Sequence, residues 1–183
     1  MKDSTDAINK ISAINQHMEK DDILVTMDVR SLYTNIPNQE GIQAVKDTLN
    51  SSPSRIPTRI ITTFLTLILT LNNFIFNGTH YLQNKGSAMG TKCAPPYANI
   101  FMGRFEEQHI YPRILHHTRL YLRFIDDIFF IWKGTEQELK KFLEEINLQH
   151  PTIKFDYKYS KSEIEFLDLK IFKDSMGKLL TKI

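Results

Sequence analysis

Apolar residues along the chain switch repeatedly between helical and strand spacing. Helical spacing, with apolar side chains three and four residues apart, is found in the segments 1–20, 39–49, 58–72, 96–109 and 135–146. Short apolar runs that are typical of buried strands begin at Ile23, Phe74, Leu120, Ile153 and Ile164. After a first weak helix, the predicted order is strand, helix, helix, hairpin, helix, hairpin, helix, hairpin. This order predicts an α+β fold, a mainly antiparallel sheet with helices on one face.

Turn and capping residues interrupt this pattern. Asn77-Gly78 lies between two apolar runs and predicts a tight hairpin turn. Thr135 is followed three residues later by Glu138, which predicts a capping box at the start of a helix. Residues 153–159 and 164–172 are predicted as the strands of a last hairpin, with residues 161–163 near its turn. The pattern shows no repeat and no domain boundary.

Two adjacent carboxylates, Asp126 and Asp127, stand in the middle of the apolar segment YLRFIDDIFFIW, residues 121–132. Burying two charges in such a run costs several kcal/mol unless something compensates, on the order of the transfer penalty for polar groups. A solvated turn would compensate, since Asp is a common turn residue. A cation bound at the tip of a hairpin would compensate as well. From this segment alone both interpretations stay open.

A second acidic strand end lies far away in the sequence. The apolar run ILVTM, residues 23–27, ends directly at Asp28. If the two strands are neighbours, the carboxylates of Asp28 and of Asp126-Asp127 converge. Oxygen ligands of this kind suit Mg²⁺ or Mn²⁺, and two such ions can support in-line phosphoryl transfer. The alternative interpretation of Asp28 is a strand-end cap.

Composition restricts the function classes. The 183 residues carry a net charge of +2, which argues against a dedicated basic nucleic-acid-binding arm but allows an acidic centre with basic edges. A single cysteine, Cys93, cannot form an internal disulfide, and without a partnering base it is no candidate nucleophile. The most apolar segment, residues 60–71, is too short to span a bilayer, so no membrane role is expected.

Three longer motifs carry a family resemblance. LVTMDVRSLYTNIP contains Asp28, GSAMGTKCAPPYANIFMGRFEE begins at Gly86, and YLRFIDDIFFIW contains the two adjacent carboxylates. In this order, and with IKFDYKYSKSEIEFLDLKIF after them, they resemble the palm of reverse transcriptases, most closely that of Penelope-like retroelements. The resemblance covers about residues 20–173. It implies an antiparallel polymerase palm with a ferredoxin-like core and partial fingers.

The resemblance also implies domain bounds and a reaction. Residues 1–20 would belong to truncated fingers, 21–173 to the palm with partial fingers, and 174–183 to a tail without a thumb. The implied enzyme is an RNA-directed DNA polymerase that adds dNTPs to a DNA primer on an RNA template with two Mg²⁺ or Mn²⁺ ions. It would act inside the cell, in the nucleus. The chain is expected to be a fragment, weakly active or inactive alone.

Site residues follow from matching positions in the motifs. Asp28, Asp126 and Asp127 would be the catalytic metal ligands, together with the main-chain carbonyl of Val29. The positions implied to contact the dNTP are Arg30, Tyr33, Met89 and Gly90. The positions implied to contact template or primer are Ala94, Pro95, Asn99, Phe166 and Leu167. Family members often have Gln where this chain has Met89, and Ser where it has Ala94, which removes a side-chain amide near the nucleotide.

Alternatives remain for several of these positions. Tyr33 would crowd a ribose 2′-OH in the family, but from the residues alone it reads as a packed aromatic. Arg30 and the candidate phosphate ligands Lys85 and Lys92 read, one by one, as solvated surface charges. At the level of function, the alternatives are an RNA-dependent RNA polymerase and an inactive or repurposed palm that binds nucleic acid or protein.

Overall fold

The computed structural model describes residues 1–52, 55–88 and 90–183. Its helices are α1 (Ser4–Ile14), α2 (Leu32–Asn35), α3 (Asn38–Ser51), α4 (Thr58–Thr70), α5 (Ala94–Phe105), which continues as a π-helix over Glu106–Ile110, α6 (Tyr111–Ile114) and α7 (Glu136–Ile146). Its strands are β1 (Ile23–Val29), β2 (Asn73–Phe76), β3 (Thr79–Leu82), β4 (Thr118–Phe124), β5 (Asp127–Trp132), β6 (Phe155–Ser160), β7 (Glu163–Phe166), β8 (Leu169–Lys173) and β9 (Leu179–Lys182).

The chain folds as two compact units. The sheet unit comprises residues 1–30 and 108–183, and the helical unit comprises residues 31–107. In the sheet unit, four antiparallel strands form one sheet in the order β4-β5-β1-β6. The central strands β1 and β5 are almost continuously apolar because both faces of this sheet are covered. The predicted α+β class with an antiparallel sheet is therefore confirmed.

Helix α7 covers one face of the sheet. Its capping box is present as predicted: the Glu138 amide donates to the Thr135 hydroxyl, and the Glu138 carboxylate accepts from the Thr135 amide. The apolar stripe of α7 is buried, and Phe142 packs with its ring against Phe130 and Trp132 of β5. Aromatic clusters of this kind add about 0.5–1.5 kcal/mol per ring pair beyond the buried area.

The opposite face is covered by α1 and by a second sheet, in the order β7-β8-β9. Phe129 and Ile131 of β5 point to this side, and Phe166 of β7 packs its ring against Phe129. Further members of this core are Ala7, Ile11, Leu24, Leu122, Ile164, Leu169, Ile171 and Leu179. The sequence predicted helices on one face of the sheet, whereas the structure has a helix on each face, α7 on one and α1 on the other.

The prediction of one last hairpin from residues 153–159 and 164–172 is wrong. Residues 164–172 do not form one strand, because a turn at Leu167-Asp168 divides them into β7 and β8. The strand β6 pairs with β1 in the main sheet and forms no ladder with β7. Leu167 has φ +55°, a conformation that leucine rarely adopts, and the strand pattern did not show the break, although the family resemblance implied a turn at Phe166-Leu167-Asp168. Residues 174–183, expected as a tail, supply β9.

The helical unit contains α2 to α5 and the hairpin β2–β3. The Asn77-Gly78 turn is confirmed, and both residues have positive φ, +49° and +77°, as a type I′ turn requires. Helix α3 packs closely against α5 at Gly41, where an added Cβ would lie 1.9 Å from the Tyr97 hydroxyl. Helix α4 is the most apolar helix, and among the described residues no helix is long and apolar enough to cross a bilayer.

Candidate active site

The strand register of the sheet unit brings three carboxylates together. Asp28, near the end of β1, pairs directly with Asp127, the first residue of β5. Asp126 occupies the turn before β5, and its main-chain carbonyl accepts a hydrogen bond from the Val29 amide at 3.3 Å. The two acidic strand ends are therefore neighbours, and the Asp126-Asp127 pair lies at the hairpin end. On its other side, Asp28 pairs with Asp156 of β6.

These carboxylates repel one another. Partial burial, followed by the charges of Asp126, Asp127 and Asp156, raises the pKa of Asp28 above its ordinary value. Partial burial and the charge of Asp126 raise the pKa of Asp127 in the same direction. Raised pKa values mean that the ionised cluster is unfavourable by itself and that a bound cation would relieve it.

The donor set fits a hard divalent cation. Carboxylate oxygens are the ligands that Mg²⁺ and Mn²⁺ prefer, and the repulsion among Asp28, Asp126 and Asp127 gives a cation something to neutralise. In the described part of the chain, no three His, Cys, Asp or Glu side chains are already arranged around one metal position. The fit therefore rests on donor chemistry and charge. Val29 has a buried side chain, so only its main chain is available there.

A pocket of about 250 Å³ opens beside the acidic residues. Asp28 and Asp127 line it from the main sheet, and Phe166 and Leu167 line it from the β7–β8 turn. Its remaining walls are Thr26, Met27, Ile128, Asp156, Tyr157, Lys158 and Glu165. The structure thus joins the predicted metal ligands to the residues predicted to support a primer.

The family resemblance implies a lysine near the closing motif that donates a proton to pyrophosphate, and of the three lysines at such positions, Lys154, Lys158 and Lys161, one lines this pocket. Lys158 lines it, on a strand position that shares a face with Asp28. Lys154 instead donates from Nζ to the main-chain oxygens of Asn147 and His150, at 2.6 and 2.7 Å. Lys161 does not line the pocket. Position in the sequence alone did not separate these three lysines.

Arg30, predicted to contact a nucleotide, forms an ion pair with Asp156. Its Nε lies 2.8 Å from the Asp156 carboxylate, and its Nη2 contacts the same oxygen. This pair lowers the pKa of Asp156, first through the hydrogen bond and then through the charge of Arg30. Both side chains are largely exposed, so the pair contributes little to stability and can rearrange.

In the helical unit, the loop at Gly86 packs against α2, which carries Tyr33. The Ser87 amide donates to the Tyr33 carbonyl at 2.7 Å. A Cβ added at Gly86 would lie 2.4 Å from the same carbonyl oxygen, so only glycine allows this approach. The first and second sequence motifs are thus in contact within this unit. Gly90 has φ +90° with open space beside it, and Met89 lies outside the described residues.

Ala94 differs in burial from the other predicted template contacts on α5. Its side chain is buried inside the helical unit at 1% exposure, so only its main chain is available to a template strand. Pro95 and Asn99 are exposed on α5 and keep that prediction. The inward face of the same helix is formed by buried residues, among them Tyr97 and Ala98. The small residue at position 94 therefore serves packing of the α5 start.

A family profile matches nearly the whole chain. The family described as reverse transcriptase (RNA-dependent DNA polymerase) matches residues 2–171. The chain belongs to the reverse transcriptase family. No curated protein sequence matches it. This membership confirms the family-level prediction and gives the acidic cluster a polymerase context.

Solved polymerases share the fold of this reverse transcriptase domain. Apo telomerase from Candida tropicalis has a TM-score of 0.80 at 11% identity, covering 100% of this chain and 36% of that one. Telomerase from Candida albicans, in complex with a fragment of telomeric RNA, has a TM-score of 0.76 at 11% identity, covering 97% of this chain and 36% of that one. The RNA-dependent RNA polymerase of a human picobirnavirus has a TM-score of 0.63 at 12% identity, covering 93% of this chain and 33% of that one. These similarities confirm the predicted polymerase palm fold, and this chain spans about a third of the length of each relative.

Asp156 is the acidic residue of this reverse transcriptase domain that sequence reasoning missed. Polar residues alternate at positions 156, 158 and 160, which places them on one face of β6. The alternation shows that the strand has a polar face, but it does not show which strand lies beside it. Only the pairing of β6 with β1 brings Asp156 next to Asp28.

The turn that presents Asp126 holds a strained residue. Ile125 has φ +56°, in the left-handed region, which is unfavourable for a β-branched side chain. Leu167, in the β7–β8 turn, has the equivalent conformation at φ +55°. Both turns of the reverse transcriptase domain that border the pocket are therefore strained, as is common where a site fixes its side chains.

We expect Ile125→Gly to be more stable than Ile125→Ala by about 1 kcal/mol, because glycine adopts a left-handed conformation without the Cβ penalty of an L-residue. The free energy of unfolding from urea denaturation checks this order. The comparison with alanine, rather than with isoleucine, removes the effect of the lost side-chain packing. An alanine variant as stable as the glycine variant would show that the turn is unstrained.

Proposed function

We propose that this chain is the palm, with part of the fingers, of an RNA-directed DNA polymerase from a Penelope-like retroelement. It would extend a DNA primer with dNTPs on an RNA template. The observation that carries the proposal is the pairing of Asp28 with Asp127, beside Asp126 and at the mouth of a pocket. The assignment to the Penelope-like branch is supported by GSAMGTKCAPPYANIF, with Met89 and Ala94 at the variable positions.

The acidic residues would hold two divalent cations through Asp28, Asp126, Asp127 and the Val29 carbonyl. Such ions, when bound, activate the primer 3′-OH and stabilise the leaving pyrophosphate. The contribution of the protein is positional: the β1–β5 register fixes two carboxylates side by side, and the tight turn fixes the third. Because the cluster is self-repelling, it is prepared for positive charge before substrate arrives.

Other residues would take further roles in the reaction. Lys158, on the same strand face as Asp28, would present a proton and a positive charge to the leaving pyrophosphate. Arg30 would exchange its exposed Asp156 partner for the triphosphate, which is a stronger bidentate acceptor. Phe166 and Leu167 would support the primer end from the β7–β8 turn. Pro95, Asn99 and Gly90 would contact template and nucleotide.

Primer extension tests the proposal. The assay compares wild type, Asp126→Asn and the control Asp21→Asn on an RNA template with a DNA primer and Mg²⁺ or Mn²⁺. Asp21 is an exposed carboxylate in the same unit, outside the pocket. Because the chain alone is expected to be weakly active at most, we expect weak but measurable extension by wild type and by Asp21→Asn, and none in Asp126→Asn. Mn²⁺ titration by calorimetry gives an independent readout, with weaker binding expected only in Asp126→Asn. Equal and measurable extension by all three proteins would reject the catalytic assignment.

Tyr33 is expected to select the sugar of the incoming nucleotide. We expect Tyr33→Ala to raise ribonucleotide incorporation relative to deoxynucleotide incorporation by about 10-fold or more, because a ring that excludes the 2′-OH is removed. Tyr33→Phe keeps the ring and should keep the discrimination. Competitive primer extension with both nucleotide types measures the ratio. An unchanged ratio in Tyr33→Ala would instead favour a packing role for Tyr33, which its partial burial allows.

A second candidate function is a palm that binds nucleic acid without catalysis. It is favoured by one observation, that no three metal-type ligands in the described residues are arranged around one position. The same assays separate the two candidates. A wild-type protein that binds template–primer in the presence of Mn²⁺ but never extends the primer would support the binding function.

A further inference from the structure

The turn between β4 and β5 contains only two residues, Ile125 and Asp126. Phe124 and Asp127 pair across it and close the hairpin. Ile125 has φ +56°, whereas Asp126 does not have a positive φ. A positive φ at the first central residue alone is the pattern of a type II′ turn, in which that position is usually glycine. An isoleucine there needs support, because such conformations persist only where surrounding contacts determine them.

Arg123 supplies one such contact. Its guanidinium Nη1 donates a hydrogen bond to the main-chain carbonyl of Ile125 at 3.0 Å, and this bond is partly buried. Hydrogen bonds from a charged donor are stronger than those between neutral groups, and partial shielding from water preserves more of that strength. Arg123 lies two residues before Ile125 on β4, opposite Ile128 of β5. It thus reaches along its own strand to the turn.

The carbonyl that Arg123 binds belongs to the peptide group between Ile125 and Asp126. A peptide group is planar, so fixing its oxygen also fixes the main-chain nitrogen of Asp126. The following peptide group is held as well, since the Asp126 carbonyl accepts a hydrogen bond from the Val29 amide at 3.3 Å. Both peptide groups that flank the Asp126 Cα are therefore hydrogen-bonded, one to a side chain and one to β1. The direction of the Asp126 side chain depends on both.

We propose that Arg123 is a positioning residue of the metal site. It holds the peptide group before Asp126 and thereby keeps that carboxylate beside those of Asp28 and Asp127. Arg123 itself would touch neither a metal ion nor a nucleotide. The inference rests on the proposed function, because the direction of the Asp126 carboxylate matters only if that carboxylate binds a cation.

A purely electrostatic role of Arg123 makes the opposite prediction. Arg123 carries a positive charge near a cluster of mutually repelling carboxylates. Removing this charge leaves the cluster more negative, so electrostatics alone would make Mn²⁺ bind more tightly. Loss of the hydrogen bond has the reverse effect, because the ion must then fix a carboxylate that the protein no longer holds in place. The sign of the change in Mn²⁺ affinity therefore separates the two roles.

Mn²⁺ titration of the 183-residue chain by calorimetry tests the inference with Arg123→Met, which removes the donors and keeps a long side chain. The matched control is Arg113→Met. Arg113 also lies in the sheet unit and donates from Nη1 to a main-chain carbonyl, that of His109, at 2.8 Å, but it does not line the pocket. Thermal unfolding in chelator measures the melting temperature of each metal-free variant.

We expect Arg123→Met to bind Mn²⁺ at least about 10-fold more weakly than wild type, the usual effect of losing a residue that orients a metal ligand. Arg113→Met should bind Mn²⁺ like wild type, although both variants should melt at a lower temperature. Adding Ile125→Gly to Arg123→Met should restore part of the Mn²⁺ affinity, because glycine adopts the positive φ without support. A residue that only stabilises the sheet would show no such rescue.

Three results would contradict the inference. Unchanged or tighter Mn²⁺ binding by Arg123→Met, beside measurable binding by wild type, would overturn the inference alone. Equal weakening by Arg113→Met would show that general stability, rather than the position of Asp126, controls the affinity. A wild type that does not bind Mn²⁺ would reject the proposed function and this inference with it. If Arg123→Met does not fold, Arg123→Gln repeats the test of sign, because it shortens the side chain and removes its charge.

Discussion

Asp28→Asn is expected to abolish primer extension while raising the melting temperature of the metal-free protein. Asp28 pairs with Asp127 in the sheet register, and its pKa is raised by partial burial and then by the charges of Asp126, Asp127 and Asp156. Removing one charge relieves this repulsion, so the folded state gains. In chelator, we expect a rise of about 2 °C, a small effect because the side chain is largely exposed and screened.

The primer-extension activity of Asp28→Asn should fall, although its melting temperature rises. Residues that only support metal ligands cost 10–100-fold when they are replaced, so loss of a direct ligand is expected to cost about 1,000-fold or more. Mn²⁺ should raise the melting temperature of wild type and have less effect on the variant. Thermal unfolding with and without Mn²⁺, beside primer extension, measures both parts.

Two results would contradict this prediction. A metal-free Asp28→Asn protein that melts below wild type would show that the carboxylate stabilises the fold, as a strand-end cap would. An active Asp28→Asn protein would remove Asp28 from the catalytic centre. Asp21→Asn is the matched control, because it removes an exposed carboxylate from the same unit outside the pocket and should change neither quantity.

The part of the site that could be predicted lies at strand ends. Asp28 and Asp126-Asp127 each follow or interrupt an apolar run, and runs of this kind form central strands. Two buried strands in one small sheet have few ways to pair, so convergence of their acidic ends was a fair expectation. The register of Asp28 with Asp127 agrees with it, and their roles as metal ligands stay predictions.

The part that could not be predicted depends on pairing and on unusual backbone. Asp156 and Lys158 reach the pocket only because β6 lies beside β1, and polar alternation does not identify the neighbouring strand. The strand pattern over residues 164–172 missed the turn at Leu167 because leucine gives no turn signal, and only the family resemblance at Phe166-Leu167-Asp168 implied it. Local sequence patterns fail at both places because the surrounding structure, rather than local propensity, determines the conformation.

Gly86 has both an unusual backbone conformation and a tertiary contact, and local sequence patterns show neither. It has φ +68°, and an added Cβ would lie 2.4 Å from the Tyr33 carbonyl oxygen and 2.5 Å from the Cα of Thr34. These neighbours are backbone atoms of α2, which cannot move away as a flexible side chain would. The sequence alone shows a glycine-rich loop and does not show which of its glycines is in close contact.

We therefore expect Gly86→Ala to destabilise the helical unit by about 3 kcal/mol, from about 1 kcal/mol of left-handed strain and about 2 kcal/mol of overpacking. Gly78→Ala is the control: it has a similar φ of +77°, but nothing lies within 4 Å of its Cβ position, so only the strain of about 1 kcal/mol should appear. Urea denaturation measures both values. If the two variants lose equal stability, the loop at Gly86 moves away from α2 without cost, and the contact between Ser87 and Tyr33 is not what holds the two motifs together. A much larger loss in Gly86→Ala, together with a lower affinity for dNTPs, would show that this contact positions Tyr33 for the incoming nucleotide.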